Sequence, residues 1–258
     1  MIGVYVTVPA ACFRKGLARE YLETEIIPPP ATCYGFLLSL VGETNRLKHM
    51  GVRVTPMLLS EPECSVVLRK RWRVKEDNYW VDPNGQVHIV SRTKKAREKF
   101  EIWVRDQGWP KPNYSYGLGC GSNSCPDYQQ ILTGIELIIW LDSSEDANQD
   151  NPLEKRVQEA QDPLTRNGIK RFGGLSLGES THLVDQVSLY GGKLKECLRP
   201  SKIRLYKLND QGLLGLPVWV DHVGSAGTVH VVGELVEIDA IQPPEIAEMP
   251  QIVSSRTM

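Results

Sequence analysis

A chain of 258 residues, 41% hydrophobic and 24% charged, has an ordinary globular composition and the length to bury a full core. No apolar run approaches the roughly 20 residues that span a bilayer, and MIGVYVTVPA has no basic region ahead of its apolar one, so neither a membrane span nor a secretory leader is expected and the chain reads as cytoplasmic. The formal net charge of −1 excludes a general attraction to polyanions, so any such affinity has to be local.

Residues 2–8 (IGVYVTV) are a β-branched apolar run and predict the first strand. The run Pro28-Pro29-Pro30 stops what precedes it and suits the first turn of a helix. From there Ala31, Tyr34, Leu37, Leu38 and Val41 recur at helical spacing, and Gly42 can end the helix. Residues 63–74 (ECSVVLRKRWRV) predict a strand whose far end turns basic. In EDNYWVDPNGQVHIVSR, Asp82-Pro83-Asn84-Gly85 fits a type I turn between two strands, a hairpin.

The basic clusters RKRWRVK and SRTKKAREK flank that hairpin and are expected at its same end. From Val66 to Arg105 there are eleven Lys/Arg against five Asp/Glu, a net +6 that leaves −7 for the rest of the chain. Like charges placed side by side repel unless an anion lies between them, so this stretch points to nucleic acid. Trp72, Tyr79 and Trp80 among these cations can stack bases or fill a core.

Residues 107–127 read as a Gly/Pro-rich connector, 131–141 (ILTGIELIIWL) as a central strand and 142–152 as an exposed acidic loop. LEKRVQEAQ, 153–161, predicts a short polar helix stopped by Pro163. Residues 181–190 alternate like a strand, 200–240 add further short strands, and 241–258 is Pro-rich and expected to be a flexible tail. The order β-α-β-β-α-β predicts an α+β, ferredoxin-like (RRM-like) core in a single domain, 1–258. Residues 69–105 are its inserted basic hairpin, and its open sheet face is the platform that RNA-recognition modules use.

KRFGGLSLGES, 170–180, resembles a P-loop with Glu179 in place of the lysine. A P-loop follows a strand and opens a helix; this stretch follows a helix and precedes a strand, and Glu179 would repel the phosphates. Its glycines instead let backbone approach a polyanion, with Lys170 and Arg171 beside it. YGLGCGS has the wrong spacing for a dinucleotide site. Cys120 and Cys125 lack a second ligand pair for zinc. The six cysteines are scattered and reduced thiols are expected. No catalytic constellation, metal site or cofactor is expected.

VPAACFRKG…TEIIPPPATCYGFLLSLVGE resembles the N-terminal signature of the Cas five family of the RAMP superfamily, CRISPR-associated subunits of type I Cascade complexes. The matching positions are Phe13, Arg14, Pro29, Pro30, Thr32, Tyr34, Gly35 and Gly42. RFGGLSLGES is similar to that family's glycine-rich stretch in the Myxococcus-like type I-B branch.

The resemblance implies a thumb at 69–105 and capture of the 5′ handle of the guide RNA (crRNA). It also implies partners in the backbone (Cas seven) and large (Cas eight) subunits, with target DNA nearby through the complex. The candidate RNA contacts are Arg14, Lys15, Tyr34, Arg69, Arg71, Trp72, Arg73, Arg92, Lys94, Lys95, Arg97, Lys170, Arg171, Gly173 and Gly174. One branch of the family cuts precursor RNA with a tyrosine and an adjacent lysine and histidine. Here the only Lys-His pair, Lys48-His49, follows the first helix rather than lying in the basic insert, a departure that points to a non-catalytic subunit. The alternative is a metal-independent endoribonuclease acting through Tyr34 with lysines of the insert.

Overall fold

The computed structural model describes residues 1–16, 21–171, 173–221 and 227–254, and for 70–76 and 116–126 the backbone alone. It divides into two compact units, Met1–Val67 with Tyr128–Met258, and the inserted Leu68–Asp127.

The larger unit opens with β1 (Ile2–Ala11), a two-residue strand β2 (Tyr21–Leu22), α1 (Pro30–Leu40) and β3 (Arg53–Leu58). Strand β4 (Glu63–Val81) leads into the insertion, which holds β5 (Val87–Val90) and α2 (Lys94–Asp106). Strand β6 (Ser115–Asp142) leads back out of it. Then come α3 (Leu153–Gln161), β7 (Gln186–Leu189), α4 (Gly192–Cys197), β8 (Ile203–Leu208), β9 (Leu214–Trp219) and β10 (Val229–Ile238).

Across the larger unit's sheet the strands run β7-β1-β6-β3-β8-β10-β9, every neighbouring pair antiparallel. The register Val4↔Ile139, Val6↔Leu137 and Val8↔Ile135 puts one alternating set on the helix side. These residues are buried with Cys33, Phe36, Leu37 and Leu40 of α1 and Leu153 and Val157 of α3. Period-2 strands against a period-3.6 helix thus close one core, as the apolar spacing of each requires.

The other sheet face is not open. Tyr5, Met57, Leu59, Ile138, Trp140 and Leu205 form a second buried cluster there, with Leu194, Leu198 and Ile241 packed against it. The expectation of a free platform is corrected: Ile138 and Trp140 make β6 apolar on both faces, and such a strand has to be covered on both.

Three further expectations change. Residues 115–127 are strand rather than connector, because ladder pairing overrides weak local propensity. Residues 94–106 are a helix, α2, capped by Thr93, whose side chain accepts from the Ala96 amide; Ala96, Phe100 and Val104 give its apolar spacing. The tail is anchored as far as 254. Met249 and Ile252 are fully buried, Gly51 N–H donates to Ile252 O at 2.9 Å and Ile252 N–H to Val52 O at 2.9 Å.

Candidate nucleic-acid interface

The eleven-residue glycine motif serves two ends of the larger unit. At its start, Arg171 Nε donates to Leu40 O at 2.7 Å, satisfying a carbonyl left open where α1 ends. Arg171 thus caps the helix through its Nε, and both Arg171 and Lys170 are exposed. Both belong to shallow grooves beside α1 and α3, of about 280 Å³ at Arg171 and about 410 Å³ at Lys170. Gly173 has φ +73° and open space around it, whereas Gly174 packs against Leu183.

At the motif's other end, Leu177 is fully buried, and Gly178, at φ +100°, has no room for a Cβ beside Cys12 O. The Cys12 and Glu179 amides both donate to His182 Nδ1, at 3.1 and 3.2 Å. That nitrogen is therefore unprotonated, and the ring is a fixed fastener rather than a ligand. The loop is thereby held on the chain leaving β1.

Just beyond, Phe13 N–H donates to Thr24 Oγ1 at 2.8 Å and Lys15 N–H to Glu23 O at 3.0 Å. Arg14 and Lys15 are exposed on this short ladder, with Lys15 Nζ 3.4 Å from Glu23. The Cys12 thiol is pushed up by burial and by Glu179, against hydrogen bonds from Gln129 and Thr24 and the charge of Arg14. Glycine loop, Arg14 and the β2–β6 edge thus meet around Cys12.

Tyr34 is not part of that surface. It is buried at 2% exposure, its hydroxyl donates to Arg46 O at 2.8 Å, and burial raises its pKa well above the ordinary tyrosine value. Its assignment as an RNA contact is corrected to a core residue. Lys48-His49 is equally committed. His49 is fully buried; Nε2 accepts from Arg156 at 2.9 Å, so Nδ1 carries the proton and donates to Asp146 Oδ2 at 2.9 Å.

Arg156 also binds Glu43 at 2.6 Å, and Lys48 binds the same carboxylate at 2.9 Å. Burial would raise the Glu43 pKa, but hydrogen bonds from Lys48, the Asn45 amide and Arg156 outweigh it and hold it at about 2. His49 and Glu43 thus sit in a saturated network that Lys48, its side chain 42% exposed, closes from the solvent side.

Within the inserted unit, β4 and β5 pair from Asn78↔Val90 to Val81↔Val87. Asp82 Oδ1 accepts the Asn84 and Gln86 amides at 2.9 Å each, and Gly85 takes φ +84°, as the turn chemistry requires. Oδ2 lies 2.9 Å from His88 Nε2, and that bond leads the causes holding the Asp82 carboxyl below its usual range. Trp80 is 7% exposed, its ring about 6 Å from those of His88, Phe100 and Trp109. It is the unit's core, and α2 supplies the other half.

The described cations of this unit reach solvent. Arg69, Arg92, Lys94 and Lys95 are exposed and Arg97 is half-buried; Lys94 approaches Glu98 at 3.9 Å. The side chains of Arg71, Trp72 and Arg73 lie outside those described, as do those of Cys120 and Cys125. Among the described residues no group of three His, Cys, Asp or Glu is placed to hold a metal, and no helix is long and apolar enough to cross a membrane. The sequence alone did not single out Tyr21 and Tyr128, which are 38% and 51% exposed; isolated tyrosines carry no spacing signal.

No family model matches the chain. A CRISPR-associated protein Cas5 from Myxococcus xanthus (strain DK1622) is 40% identical over 253 residues, covering 98% of this chain and 97% of that protein. A chain of a solved CRISPR RNA-guided surveillance complex has the same fold at a TM-score of 0.51 and 10% identity, over 99% of this chain and 92% of that one. With a full-length relative at 40% identity and the signature around Phe13, Arg14 and Pro29 through Gly42, the chain belongs to the Cas5 family of CRISPR-associated proteins.

Proposed function

We propose that this chain is a non-catalytic, RNA-binding subunit of a type I CRISPR Cascade complex. In this reading the order β7-β1-β6-β3 is a ferredoxin-like split βαβ core, with β8 to β10 appended. The insertion centred on 69–105 is its thumb, gripping and kinking the 5′ handle of the guide RNA. The chain then links the backbone subunit of the Cas seven family to the large subunit of the Cas eight family, beside the target DNA.

The observation that carries this reading is the basic insertion. A net +6 lies between Val66 and Arg105, and the exposed Arg69, Arg92, Lys94 and Lys95 offer cations to a phosphate backbone. The non-catalytic half rests on Lys48-His49: a fully buried imidazole with both nitrogens engaged cannot reach a scissile phosphate, since a general base needs hydrogen-bond contact with the proton it takes. Incubation of the purified protein with repeat RNA from the cognate array, in EDTA and again in magnesium, tests both halves. RNA retained by the protein and intact is expected. Cleavage in EDTA would establish the endoribonuclease instead, and absence of binding would remove the RNA role.

A further inference from the structure

Strand β2 pairs in parallel with β6, Tyr21 opposite Tyr128 and Leu22 opposite Gln129. Burial follows that register: Leu22 and Gln129 are 2% and 1% exposed, while Tyr21 and Tyr128 are 38% and 51% exposed. Partners in a ladder project to the same face, so both side chains stand on one solvent-facing side of the β2–β6 ladder. An exposed aromatic side chain alone is unremarked surface. Two in register on adjacent strands offer two aromatic faces on one side of a ladder, the arrangement on which sheet-based RNA modules stack successive bases.

The surroundings favour a polyanion with bases over an apolar protein partner. The adjoining ladder carries the exposed Arg14, Lys15 and Glu23, and charged side chains are depleted from the centres of protein–protein contacts. The glycine turn at Gly178, held on Cys12 through His182, lies on the same stretch. Tyr128 is also the first residue of the larger unit after the cationic insertion in sequence.

We propose that Tyr21 and Tyr128 form a stacking platform for two successive unpaired bases of RNA. This inference rests on the RNA-binding reading above and names the part of the surface that takes bases rather than phosphates. Stacking does not discriminate strongly among bases, so the platform orders the strand without selecting its sequence.

The test uses the full chain with repeat RNA carrying 5-iodouridine in place of uridine. Photo-crosslinks are expected on the peptides containing Tyr21 and Tyr128. Tyr21→Ala and Tyr128→Ala should each weaken binding by about 5- to 150-fold, the range for loss of one aromatic stack, while Tyr21→Phe and Tyr128→Phe stay within about twofold. Both alanine variants should melt like the parent, because each side chain is solvent-facing.

Alanine variants that bind RNA like the parent, in a protein whose binding still collapses on charge reversal of the insertion, overturn the platform and leave the RNA role standing. Alanine variants with unchanged RNA affinity that no longer co-assemble with the other Cascade subunits would make the pair a protein contact and also overturn it. A parent chain that binds no RNA removes the reading on which the platform rests, and the platform with it.

Discussion

Replacing Asp146 with alanine is expected to cost about 3–5 kcal/mol of folding stability, the range for breaking a buried charged network from one side. Asp146 is 2% exposed and accepts from His49 Nδ1 at 2.9 Å, the Asn148 amide at 2.8 Å and the Leu153 amide at 2.8 Å. The last of these bonds caps α3, whose own N-cap, Pro152, has no side-chain oxygen to offer. Alanine would leave three donors short of an acceptor, each carrying a desolvation penalty of about 1–3 kcal/mol where buried. It would also free His49 from the partner that fixes its tautomer. The urea midpoint should fall sharply at unchanged slope; a loss under about 1 kcal/mol would show that water or Glu43 takes over these bonds.

The second large effect is expected at Gly42. Its φ is +67°, and a Cβ there would overlap the carbonyl oxygen of Lys170. The left-handed conformation alone costs a non-glycine residue about 1–2 kcal/mol, and the overlap is with backbone, which cannot swing aside as a side chain would. Gly42→Ala should therefore lose more than about 2 kcal/mol and loosen 169–171, including the Arg171 cap on Leu40 O. Hydrogen exchange at the last turn of α1 would report it. A neutral Gly42→Ala would mean that the loop carrying Lys170 is not seated against α1.

Gly42 also shows what the sequence made legible. A glycine after the spacing Ala31, Tyr34, Leu37, Leu38, Val41 predicts a helix end, and α1 stops at Leu40 with Val41 as its cap. The central strand at 131–141, the short helix at 153–161 and the Asp82–Gly85 turn were equally readable, because each has a local cause. What escaped was set by partners far along the chain. Residues 115–127 have turn composition but are strand; Met249 and Ile252, in a Pro-rich tail, fill the core.

The candidate interface divides along the same line. Exposed cations were predictable from their clustering, since charge stays in water wherever the chain folds. Tyr34 looked like a base contact because it stands in the family signature, yet its hydroxyl caps Arg46 O from inside the core. Arg171 beside glycines reads as a phosphate contact, and its Nε also closes a helix, a second role that no local pattern announces. Tyr21 and Tyr128 lie more than a hundred residues apart and became a pair only through the β2–β6 register.

The central claim, that the basic insertion holds single-stranded RNA through its phosphates, is tested most directly by titrating repeat-RNA binding against salt. Holding about four phosphates, at roughly 0.7 per phosphate on a single strand, predicts a log–log slope near −3. Reversing the charges of Arg71, Arg73, Lys94 and Lys95 together should abolish tight binding and flatten that slope toward zero. A parent protein whose affinity ignores salt, or a fourfold reversal that binds like the parent, would contradict the account.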